Sequence, residues 1–171
     1  MLIDSVIIKL IRNGAGVSPD YSLTIYGYGA LEYNGIENVE VKGKVEEEFD
    51  YDKVISLLSK FKSSGFFSLN NQYSVDESAG PPFTVISISM PVNDGEMKIK
   101  NITHYNDDEN VPNELKNLEE QIDEITMSDR WVGKSSEIEH ETQSDEKKKN
   151  SRLLNDDEKF LYMLERNQRH R

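Results

Sequence analysis

The chain has 171 residues, 36% of them hydrophobic, no cysteine and a formal net charge of −12. That length suits one ordinary core rather than two, and the absence of cysteine excludes disulfides and thiolate metal sites and suits a reducing compartment. The acidic surplus lies wholly in residues 1–133, where 23 acids face 11 bases, while residues 134–171 hold nine of each; a domain so short of Lys and Arg is a poor ligand for phosphate-rich surfaces, so neither nucleic acid nor membrane is expected as a partner.

Ile3 to Arg12 mixes β-branched and polar residues and stops at Asn13-Gly14, which predicts a first strand. Asp4, Lys9 and Arg12 break the apolar run that a secretory leader would need, and no stretch approaches the roughly 20 apolar residues of a membrane span, so the expected location is cytoplasmic. Tyr21, Leu23 and Ile25 share one face of a second strand, and Gly27-Tyr28-Gly29 reverses the chain. A third short strand, Leu31 to Tyr33, meets Asn34-Gly35, a dipeptide suited to a two-residue hairpin because both positions tolerate positive φ. From Asn38 to Glu48, Val39, Val41 and Val45 alternate with Glu40, Lys42, Lys44 and Glu46, predicting a fourth strand with one wet face.

The period then changes from two to about 3.6. Tyr51, Val54, Leu57, Leu58 and Phe61 mark an amphipathic helix, with Asp50 as its cap and Gly65 at its end. Phe66, Phe67 and Leu69 are expected to tuck under the sheet, and Asn70 to Pro82 reads as a loop. Phe83 to Met90 and Glu96 to Ile102 form a second hairpin around Asn93-Asp94-Gly95. After Pro112, Leu115, Leu118, Ile122 and Ile125 line one face of a second helix, with Glu119, Glu120, Asp123 and Glu124 assigned to the other. The predicted class is therefore α+β, a mostly antiparallel sheet of about six strands in the order ββββαββα, with two helices packed on one face.

Residues 1–133 are assigned to this acidic domain, which finishes at Trp131, the only tryptophan. Residues 134–152 have the composition of a disordered charged linker. Within 153–171, acids at the start, Arg166, Arg169 and Arg171 at the end, and Phe160, Met163 and Leu164 between them predict a short amphipathic helix. Such a helix is marginal alone and needs a surface to dock on.

Candidate chemistry is sparse. There is no nucleophile motif, phosphate loop or dinucleotide fingerprint, and Gly14-Ala15-Gly16 runs into Pro19, which lacks the amide that a phosphate cradle would use. The acidic run Asn106 to Asn110 fails the calcium-loop spacing, since Val111 stands at the glycine position and Asn117 at the bidentate glutamate. No metal site and no cofactor are expected. His104 could form an acid–base pair with Asp76, which defines the weak catalytic candidates. Tyr21 and Tyr33 share parity with apolar neighbours and are assigned to the core. Tyr26 and Tyr28 are left as candidates for a contact face.

Several strings, among them Gly16-Val17-Ser18-Pro19-Asp20-Tyr21, Ile25-Tyr26-Gly27-Tyr28-Gly29, Tyr33-Asn34-Gly35, Val41-Lys42-Gly43-Lys44, Gly65-Phe66-Phe67 and Asn113-Glu114-Leu115, resemble an uncharacterised family, domain of unknown function 6438, over residues 5 to 133. Members of that family often carry a Cys-Pro step where this chain has Ser18-Pro19, so no thiol role transfers. The resemblance implies a small domain without assigned activity.

The leading functional expectation is a noncatalytic binding or protein-interaction module that meets a protein partner through the Tyr26/Tyr28 hairpin or the C-terminal helix. The alternatives are a hydrolase-type enzyme using Asp76 and His104, and an acidic cation-binding domain.

Overall fold

Alternating side chains in the first third of the chain build an antiparallel meander of β1 (Ile7–Asn13), β2 (Asp20–Tyr26), β3 (Ala30–Glu37) and β4 (Gly43–Glu48). The helix α1 (Tyr51–Ser63) follows, then β5 (Gln72–Tyr73), β6 (Phe83–Pro91), β7 (Met97–Tyr105), α2 (Asn113–Thr126) and a single turn, α3 (Asp129–Val132). The computed structural model describes residues 3–73, 82–92, 96–105 and 108–133. Asp76, the Asn93-Asp94-Gly95 turn, the 134–152 linker and the helix assigned to 153–171, with Phe160, Met163 and Leu164, lie outside the described residues.

The architecture is α+β, with one seven-stranded sheet in the order β4-β3-β2-β1-β6-β7-β5. Every pairing is antiparallel except β5 with β7. The strand beyond the expected six is β5, only two residues long and parallel to Thr103 and His104, which is why no alternation betrays it.

Register explains the core. Tyr33, Leu23, Leu10, Ile86 and Ile102 lie in one row across five strands, and Leu31, Ile25, Ile8 and Ile88 in the next. All of them are buried, together with Val54, Leu57 and Phe61 of α1 and Leu115, Leu118 and Ile122 of α2. Those helical residues recur at intervals of three and four, so each helix lays an apolar stripe on the same sheet face. Asp50 caps α1 by accepting from the Asp52 amide at 2.8 Å, and Gly65 takes the left-handed conformation just beyond its end. Tyr51, counted in the apolar stripe from sequence, is exposed because it begins the helix.

Two strand limits differ from the sequence expectation for a common reason. Asn34-Gly35 is not a hairpin but lies inside β3, where Gly35 pairs with Tyr21 on one side and Gly43 on the other. A Cβ on Gly35 would stand 2.1 Å from the Val41 carbonyl oxygen and 2.5 Å from the Tyr33 hydroxyl, so glycine here admits a crossing segment rather than a turn. That segment, residues 38–42, carries Val39 and Val41 inward before β4 begins at Gly43. It is held by Tyr33 Oη donating to the Val41 carbonyl at 3.0 Å and by the Val41 amide donating to the Trp131 carbonyl at 2.9 Å. Trp131 in turn stacks on Tyr33 with centroids 4.8 Å apart.

Gly35→Ala should therefore destabilise the domain by about 1–3 kcal/mol, the usual cost of overfilling a packed site. A lower urea midpoint at unchanged slope would report it.

Candidate functional site

The third row of the sheet breaks the apolar pattern. Register aligns Tyr21, Arg12, Thr84 and His104 across β2, β1, β6 and β7 on the core face. Arg12 sits two residues beyond Leu10 and four beyond Ile8, so strand parity places its side chain where another apolar residue would be expected. What meets this row is α2. Glu119 and Asp123 stand one turn apart on that helix, both facing the sheet.

The resulting network is closed. Arg12 Nη2 and Nε reach Asp123 Oδ2 at 2.7 and 3.2 Å, and Arg12 Nη1 reaches Glu119 Oε2 at 3.3 Å. Tyr21 Oη donates to Asp123 Oδ1 at 2.8 Å, and Ser128 Oγ donates to the same oxygen at 2.6 Å. His104 Nε2 lies 2.5 Å from Glu119 Oε1, and its Nδ1 lies 3.2 Å from the Tyr105 carbonyl. A carboxylate or carbonyl oxygen accepts, so each of these His104 contacts is one that a ring N–H can donate. No buried side-chain nitrogen or oxygen among the described residues lacks a hydrogen-bond partner.

Two shifts follow from this packing. Burial works against the Arg12 charge, but Asp123, Tyr21 and Glu119 together outweigh it and hold the guanidinium above its ordinary value. Burial, then the Asp123 carboxylate, raises the Tyr21 phenol well above its usual 10.0.

Sequence reasoning assigned Glu119 and Asp123 to a solvated face of α2. The structure corrects this, since Glu119 is 4% exposed and Asp123 is half-buried, each drawn inward by the Arg12–His104 row. His104 is 3% exposed, and its carboxylate partner is Glu119. The shallow cleft above the network, about 240 Å³, is lined by Arg12, His104, Lys116, Glu119 and Glu120. With both His104 nitrogens engaged, the arrangement fastens a helix to a sheet.

Tyr26 and Tyr28 stack at 5.2 Å beside a depression of about 270 Å³ that also touches Glu32, Lys44 and Glu46. Tyr28 is 63% exposed. Lys44 bridges Glu32 at 3.0 Å and Glu46 at 2.6 Å, and these contacts raise its ammonium above the ordinary range. Burial and the nearby Glu32 raise Tyr26. Asp108, in the acidic run, accepts from the Asn110 amide and side chain at 2.8 and 2.9 Å and so closes a turn. Among the described residues no group of three or more His, Asp or Glu side chains converges on a metal position, and no helix is long and apolar enough to cross a membrane.

A different feature, not legible as a site in the sequence, is an apolar groove of about 540 Å³ between α1 and the sheet. Ile55 and Leu58 of α1, Ile88 and Met90 of β6, Val92 just after that strand, and Phe67 line it. A family model for a domain of unknown function, DUF6438, matches residues 12–126. The chain belongs to this family. No curated protein matches it. The family span takes in the Arg12, Tyr21, His104, Glu119 and Asp123 network and every groove residue just named.

The folded Tyr21 phenol holds its proton more tightly than the unfolded one, so its contribution to stability is complete below about pH 10 and is lost as pH rises toward the folded value. Tyr21→Phe should cost about 1–2 kcal/mol at neutral pH through the missing bond to Asp123, yet show a flatter loss of stability above pH 10. Urea unfolding at pH 7 and in alkaline buffer checks both effects.

Proposed function

We propose that this domain is a noncatalytic ligand-binding module whose binding site is the groove between α1 and β6. The groove's volume and lining carry this reading. Ligand pockets occupy roughly 300–1,000 Å³ and are mostly apolar with few polar groups, and this one holds about 540 Å³ with Ile55, Leu58, Phe67, Ile88, Met90 and Val92 around it. Ile55 and Val92 are 42% and 39% exposed, apolar surface left beside a core that could have covered it.

The same reading is supported by how fully the groups of the polar network are engaged with one another. A general base needs a reachable nitrogen or oxygen. His104 is buried and bonded at both nitrogens, and Arg12, Glu119 and Asp123 are occupied with one another. The tyrosine pair at the far side of the sheet supplies exposed aromatic surface but only a small depression rimmed by Glu32, Lys44 and Glu46.

The neutral dye N-phenyl-1-naphthylamine, which brightens in apolar surroundings, should bind with a micromolar Kd, equivalent to about 8 kcal/mol. Ile55→Glu places a charge on the groove wall at an already exposed position and should weaken the dye at least about tenfold, whereas Tyr28→Ser should leave it unchanged. Absence of dye binding, or binding indifferent to Ile55→Glu, would refute the assignment.

A further inference from the structure

The groove's charge is opposite in sign to the domain around it. Residues 1–133 hold 23 acids and 11 bases, yet among the described residues the groove's lining carries two lysines, Lys62 and Lys98, and no acid. Neither lysine is ion-paired among the described residues. Lys98 Nζ rests 4.7 Å from the centre of the Phe67 ring, a contact that steadies the side chain without neutralising its charge.

Both lysines border the same apolar lining. Lys62 belongs to the last turn of α1, and Phe67, which Lys98 covers, follows directly after that helix. Ile55 is seven residues before Lys62, about 10 Å along the axis, and Ile88 to Met90 extends about 7 Å along the facing strand. The groove is therefore apolar in its aliphatic and aromatic lining and cationic at Lys62 and Lys98, the latter opposite Met90 in the β6–β7 register. The carbonyl end of α1 contributes about half a negative charge there, which two full positive charges outweigh.

From this polarity we infer that the groove takes a single-chain amphiphile with a carboxylate head, of the fatty-acid class. Its alkyl chain lies between Ile55, Leu58, Ile88 and Met90, and its head meets Lys62 and Lys98. The inference rests on the groove being the binding site proposed above. A free monomer is favoured over an anionic bilayer because the domain's net acidity repels an extended negative surface, while one chain slides between helix and strand and presents its charge only to the lysines.

The test displaces N-phenyl-1-naphthylamine from the whole chain with hexanoate, octanoate, decanoate and dodecanoate below their micellar concentrations. Affinity should rise about three- to fourfold per methylene until the chain outgrows the slot. Decyltrimethylammonium should compete at least about tenfold less well than decanoate, and Lys62→Ser combined with Lys98→Ser should lose about tenfold more affinity for decanoate than for the neutral dye. Both lysines are exposed, so the double variant keeps the core intact. If the dye binds but the cationic amphiphile competes equally, or the double variant binds decanoate as the parent does, the carboxylate assignment is overturned and the groove reading stands. If the parent chain does not take up the dye, both fall. Sedimentation with phosphatidylglycerol vesicles that decanoate does not reverse would assign the face to a bilayer and overturn the monomer proposal.

Discussion

Glu119 holds this domain in register. One of its oxygens faces His104 on β7 and the other faces Arg12 on β1, so a single carboxylate on α2 ties together strands separated by β6. Asp123, a turn later, repeats the arrangement toward Arg12 and Tyr21, which links β1 to β2. A buried pair of this kind adds little over a well-packed apolar substitute, but removing one member strands its partners at a cost of about 3–5 kcal/mol. Its geometric effect is to fix which residues of α2 face which strands. An apolar stripe alone would let α2 slide or rotate on the sheet, whereas two carboxylates at fixed spacing admit one position.

The same fastening shapes the rest of the core. With α2 fixed over the Tyr21–Arg12–Thr84–His104 row, α1 covers the rows that contain Leu10 and Ile8, and Phe61 of α1 packs edge-on to Phe66 at 4.9 Å. Coverage by α1 is incomplete. Ile55 and Leu58 extend past the buried stripe of Val54, Leu57 and Phe61, and between them and β6 the groove opens. At the other end of the sheet, Tyr33, Trp131 and the crossing 38–42 segment close the core with stacked rings and backbone bonds. One end of the sheet is sealed with aromatics and the other leaves apolar surface uncovered.

The α+β class, the opening meander and both long helices were legible because each rests on a local signal: alternation, capping by Asp50, or the 3.6-residue recurrence of Leu115, Leu118 and Ile122. The misplaced features depend on distant neighbours. Asn34-Gly35 has turn chemistry, but the approach of Val41 and the pairing with Gly43 keep it extended. The polar network did leave a trace in the sequence. Arg12 shares parity with Ile8 and Leu10, and Glu119 lies four residues after Leu115 and three before Ile122, so each charge stands on an apolar face and implies a buried partner of opposite sign. The groove left less, since Ile55 and Lys62 look like ordinary surface residues until β6 is set opposite them.

The contact between His104 and Glu119 has a consequence for how the domain breathes. The hydrogen between imidazole and carboxyl lies beneath α2 beside the shallow cleft, and neither residue exposes more than 4% of its surface. Burial slows the exchange of that hydrogen for deuterium, so its lifetime reports how readily α2 opens locally from the strands. A single imidazole resonance would thereby report the free energy that separates the closed domain from one whose last helix has come away.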